Sequence, residues 1–145
     1  MTNLDLTALD DAVLDKLRAD IHELRTVDTI GAEEQLTAPA SDPLPAAYTL
    51  INGAVYDPAD GVSGYQSGDV TVTVFVRARN LRGGSAARKR SGGAYDLIAG
   101  VIQTLLGYAP ATCGPLQLVE ISAFSVGRNN ATYAVRFAAD TYEES

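Results

Sequence analysis

Apolar and polar positions alternate with two periods along this chain, and the period switches three times. Leu9, Val13, Leu17 and Ile21 recur every four residues, with Leu14 and Leu24 beside them. That spacing predicts an amphipathic helix of roughly five turns with one buried stripe. Thr7 is the expected N-cap, and Asp10, Asp11 and Asp15 lie toward the positive end of the helix dipole, with Arg25 near the negative end. A short strand over 27–30 follows. Residues 31–45 carry Pro39, Pro43 and Pro45 and read as a loop crossing the surface. Residues 46–56 read as a strand that Asn52-Gly53 bulges or turns. Residues 57–61 are turn chemistry, and 61–68 a flexible stretch.

The clearest strand spans 69–79. Val70, Val72, Val74 and Val76 take one face; Thr71, Thr73, Phe75 and Arg77 take the other. Residues 94–106 return to helical spacing, with Leu97, Ile98, Val101, Ile102, Leu105 and Leu106 forming a face broad enough to lie on a sheet and Gly107 as the C′ residue. Two strands close the chain, 116–126 and 131–139, joined by a turn at Arg128-Asn129-Asn130. Residues 140–145 are expected to fray. The order of elements favours an α+β fold. It would be a mostly antiparallel sheet of about four to five strands with two packed helices, in a single domain over 1–145.

Charge changes this picture. Residues 1–69 hold three basic and thirteen acidic side chains, net −10; residues 70–107 hold six and one, net +5; residues 108–145 hold two and four, net −2, which sums to −7. Six of the eleven Lys and Arg residues are Arg77, Arg79, Arg82, Arg88, Lys89 and Arg90. Most lie in a glycine-rich arm over 80–93. These six are the candidate docking residues, for an acidic surface on another copy or for a phosphate backbone.

Candidate chemistry is sparse. His22 is the only histidine, and Cys113 the only cysteine, in a turn-like Ala-Thr-Cys-Gly-Pro segment that suits a small buried side chain. A single cysteine excludes an internal disulfide. Asp57 and Asp60 precede Gly61 without the ligand spacing of a calcium loop, and Glu33-Glu34 reads as a solvated pair. The glycines around Arg88-Lys89-Arg90 lack the G-x-x-x-x-G-K-[ST] order of a phosphate-binding loop. No catalytic residues, cofactor or metal are expected. The apolar runs are too short to span a bilayer, and the start of the chain does not read as a secretory leader.

The run over 74–107, with Arg79, Asn80, Arg82 and Gly83 before Gly93, Ala94, Tyr95 and Leu97, is followed by Pro115-Leu116, a hairpin and a strand carrying Tyr133, Val135 and Phe137. This pattern resembles the small tail proteins of Mu-like phages and prophages, and through them the tail terminators of long-tailed phages. The likeness is closest over 70–107, extends to 139 and is slight before 69. It implies an α+β subunit of a ring, usually of six copies, assembled in the host cytoplasm and resident in the virion. Such a ring caps the tail tube, ends its polymerisation and faces the neck. The implied partners are further copies of the chain, the tail-tube protein, a sheath protein if the tail is contractile, and a neck or head-completion protein. DNA would cross the lumen without specific binding, and no membrane is involved. The alternative from the residues alone is a nucleic-acid-binding module acting through 77–90.

Overall fold

The computed structural model describes residues 3–36, 42–58, 64–79, 93–110, 112–127 and 130–145. Helix α1 (Leu6–Asp20) leads into strand β1 (Thr26–Thr29), a 3₁₀ turn (Glu33–Leu36), β2 (Ala46–Tyr56), β3 (Tyr65–Arg79), α2 (Ala94–Leu105), β4 (Gln117–Val126) and β5 (Asn130–Glu144). The five strands form one sheet in the order β1-β2-β3-β5-β4. Only β1 and β2 run parallel. This is the expected α+β architecture at its five-strand limit.

Alternation along β3 sorts the core into two layers. Val70, Val72, Val74 and Val76 point to a helix face, where they meet Val135 and Phe137 of β5 and the stripes of both helices. Helix α1 contributes Leu9, Val13 and Leu17; α2 contributes Leu97, Ile98, Val101 and Leu105. Helix α1 packs on β1 and β2, and α2 on β3 and β5. Thr49 Oγ1 of β2, fully buried, donates to Asp10 Oδ1 of α1 at 2.5 Å and so fixes the helix against the sheet.

Residues on either side of 37–41 cover the opposite face. Leu36 and Leu44 pack there on Ala46, Tyr48, Phe75 and Ala134, and Phe124 meets Phe75 edge-on at 5.2 Å. Tyr48 donates its hydroxyl to Asp42 Oδ2 at 2.6 Å, which ties the segment down. The described ends of this stretch therefore pack on the sheet as well as connect β1 to β2.

Several boundaries differ from the sequence reading. The N-cap is Asp5, whose Oδ1 accepts from the Ala8 N–H at 3.0 Å, and the helix ends at Asp20, about four turns long. His22 therefore lies beyond the helix. Strand β3 begins at Tyr65, inside the stretch expected to be flexible, and β5 runs to Glu144 through the segment expected to fray. These two extensions pair with each other, Tyr65 opposite Glu144 and Gly68 opposite Thr141, so each supplies the other's backbone partners. The Asn52-Gly53 signal is a bulge between Ile51 and Gly53, with Gly53 at φ 135°. Gly107 takes the expected C′ position at φ 82°.

Gly68 of β3 lies between Tyr56 of β2 and Thr141 of β5. A Cβ there would run into the Val55 carbonyl oxygen and lie 2.7 Å from Tyr56 Cδ1. Gly68→Ala is expected to destabilise the protein by about 2 kcal/mol, since strand backbone must move to admit a methyl group. Urea unfolding checks this; an unchanged midpoint would show that the hairpin yields freely.

Candidate functional site

The described surface carries charged and apolar patches along its strands. Of the six candidate docking residues, Arg82, Arg88, Lys89 and Arg90 lie outside the described residues. Arg79 is exposed at the end of β3. Arg77 is only 5% exposed. Its Nε–H donates to Thr132 Oγ1 at 2.9 Å, and its terminal nitrogen to the Leu36 carbonyl. The cation therefore pins the 3₁₀ turn to β5 within its own subunit. Alternation had placed Arg77 beside Phe75; it is the charge count that grouped it with the arm.

A polar row crosses the same face one step along the strands. Thr73 Oγ1 donates to Asn52 Oδ1 at 2.5 Å and accepts from Arg136 Nε at 3.2 Å, and Arg136 pairs with Glu120 at 3.1 Å. This row runs from β2 through β3 and β5 to β4. On one side of it Ile30, Leu36 and Leu44 cover the sheet. On the other, toward the β2–β3 hairpin, none of the described residues covers the face.

That bare half carries aromatic rings and carboxylates. Tyr65 and Tyr142 stack at 5.4 Å between centroids, and Val55 is 79% exposed. Asp69 and Asp140 stand directly opposite each other in the β3–β5 register. These residues and their neighbours line an open cleft of about 640 Å³. On the helix face beside it, the Tyr56 hydroxyl donates to Glu143 Oε1 at 3.0 Å; burial first, then this carboxylate, raises the Tyr56 pKa. A second cleft of about 460 Å³ lies where the end of α1 meets α2, with Asp20, Glu23 and Asp96 on its rim.

The two sheet edges differ. At β1 the Val27 carbonyl accepts from Arg18 at 2.8 Å and the Thr29 N–H is taken by Asp28 Oδ1 at 2.8 Å, so side chains occupy the edge of a four-residue strand. The β4 edge is ten residues long and exposed. Two helices cover four strands and stop short of β4, leaving Leu118, Val119, Ile121 and Val126 at 37%, 57%, 45% and 51% exposure. A long edge studded with aliphatic side chains is a template for another polypeptide. The alternation over 116–126 gave no hint of this, because an edge strand and a covered strand share one period.

Cys113 is buried, and burial pushes its thiol from 9.0 up to about 11. Among the described residues no cluster of His, Cys, Asp and Glu could hold a metal ion, and no helix is long and apolar enough to cross a membrane.

Among the described residues the chain is thus an α+β sheet with a covered core, an exposed apolar edge and an uncovered charged half-face. The sequence profile of the family described as phage tail terminator protein matches residues 2–144, and the chain belongs to that family. It is accordingly a structural component of a phage-type virion tail and not an enzyme. Among solved structures, a chain from the virion of a native gene transfer agent particle shares the fold, with a TM-score of 0.61 and 18% identity over 94% of this chain and 96% of that one. No curated protein sequence matches.

Two outcomes follow from these side chains. Arg77→Met is expected to cost about 3 kcal/mol in urea unfolding, because it strands the Leu36 carbonyl and the Thr132 hydroxyl, and Arg77→Lys should not restore it. A loss within experimental error would show that the 3₁₀ turn holds without the guanidinium. Cys113 is expected to resist a thiol reagent at pH 8 in the folded protein and to react once urea unfolds it. The raised thiol value stabilises the fold fully below pH 9, and that contribution is lost as pH rises toward 11.

Proposed function

We propose that copies of this chain close into a ring, hexameric as in the tail-terminator resemblance, that caps the tail tube and ends its polymerisation. The ring joins the tail to the neck or head-completion protein, meets a sheath protein if the tail is contractile, and lets DNA cross its lumen without specific binding. The observation that carries this reading is the β4 edge. Its exposed aliphatic row has no cover among the described residues and suits burial against another protein. Head-to-tail contacts of one surface with a different surface generate rings when the rotation closes. A net charge of −7 fits a wall that DNA must slide past.

The nucleic-acid alternative loses one of its six cations, since Arg77 is buried and bonded inside the subunit. Retention on DNA at low salt, abolished by neutralising Arg88, Lys89 and Arg90, would favour that alternative.

Purified protein is expected to show annular particles by negative-stain microscopy and a multiple of the 15.2 kDa chain mass by light scattering. Val119→Glu with Ile121→Glu should shift the mass to that of one chain without lowering the unfolding midpoint, because both side chains are already exposed. A protein that stays at one chain mass at high concentration, alone and with tail-tube protein, would remove the ring reading.

A further inference from the structure

We infer that the bare half-face beside the β2–β3 hairpin is the acceptor for the basic 82–90 segment of a second copy. The inference rests on the reading that copies of this chain assemble, and it assigns the charged contact between them to named residues.

The face is unfinished as a protein surface. Asp69 and Asp140 oppose each other across β3 and β5, and like charges directly opposite destabilise a strand pair. Among the described residues neither has an ion-pair partner. No Lys or Arg occurs between 57 and 69 or after Arg136, so nothing in the adjoining sequence can neutralise them. Register and alternation put Val55, Tyr65, Tyr142 and Glu144 on the same face. Stacked phenol rings bordered by carboxylates suit arginine: the guanidinium plane lies on a ring while its edge donates to an oxygen pair.

The chain carries a matching group, Arg82, Arg88, Lys89 and Arg90, and reach disfavours pairing within one subunit. The segment is anchored at Arg79 and at Gly93. Arg79 lies ten residues along β3 from Asp69, about 33 Å at strand rise. Arg82 is three residues from that anchor, at most about 11 Å of backbone. Gly93 opens α2, whose Tyr95 meets Tyr133, opposite Val76, on the helix face. From there Asp69 is still about 23 Å along the sheet and on its other side. Arg88, Lys89 and Arg90 are five residues or fewer from Gly93, at most about 18 Å of backbone and roughly 25 Å with an extended side chain, which leaves almost nothing for the detour to the other face of the sheet. The cations of one copy therefore fit the aspartates of another.

Carbodiimide coupling tests this directly, because Lys89 is one of only two lysines and an amide records which carboxylate it touched. Equal amounts of ¹⁴N- and ¹⁵N-labelled full-length protein are mixed, dissociated in high salt, returned to low salt, coupled, digested and read by mass spectrometry. Mixed-isotope links from Lys89 to Asp69, Asp140 or Glu144 are expected. Links from Lys89 confined to Asp20, Glu23 or Asp96, links within one isotope, or no links to the half-face would each overturn the inference. In parallel, Asp69→Asn with Asp140→Asn should raise the concentration needed for assembly about tenfold, as several pairs are lost together. The double variant relieves a like-charge pair and should fold at least as stably as wild type, so weaker assembly cannot be blamed on unfolding. Rings in the wild type with unchanged assembly of the double variant would remove this contact and leave the ring reading standing; no rings at all would remove both.

Discussion

The pairing of β3 with β5 governs the rest of the molecule. Fifteen consecutive residues of one strand face fifteen of the other without a register shift, from Tyr65 opposite Glu144 to Arg79 opposite Asn130. A slip of one residue would send every side chain to the wrong face. The in-register arrangement sends Val72, Val74, Val135 and Phe137 under the helices and places Phe75, Arg77 and Ala134 on the face that Leu36 and Leu44 cover. Both bulges of β4 and the one in β2 lie outside this pair, so irregularity is confined to its neighbours.

What could be read in advance divides along the same line. The strand over 69–79 and both helical stripes were legible because their burial follows a simple period. The outer ends of the central pair were not. Tyr65–Gly68 contains a glycine and polar residues, and 140–144 is acidic, so neither has the composition of a strand; each is held by backbone bonds to the other, and such long-range pairing leaves no local mark. The same reasoning explains Arg77. A buried cation needs acceptors, and here they come from Leu36 and Thr132, forty-one and fifty-five positions away. The cap at Asp5 was missed by two residues because Thr7 is also a good capping type, and only the backbone shows which residue precedes the first turn.

The site was legible in its chemistry more than in its place. Counting charges separated a basic segment from acidic territory, yet it located that territory only as the first 69 residues. Folding divides those acids: Asp10 is used inside the subunit by Thr49, Asp42 by Tyr48, and Asp28 by the β1 edge. Asp69 is left beside Asp140, from a part of the chain that seemed unremarkable. The exposed row on β4 was invisible for a different reason. Its exposure reflects the two described helices lying over the other four strands, a property of the whole arrangement and not of the strand.

The unequal edges of the sheet also set a limit on how copies can stick together. A strand laid against β4 extends the sheet, but two copies joined through that edge would present β1 at either outer margin, where Arg18 and Asp28 already occupy the backbone. Uncontrolled lateral growth into fibres therefore stops after a single addition. The polypeptide can carry a sticky border at the high local concentrations of a forming particle because its other border has been sealed.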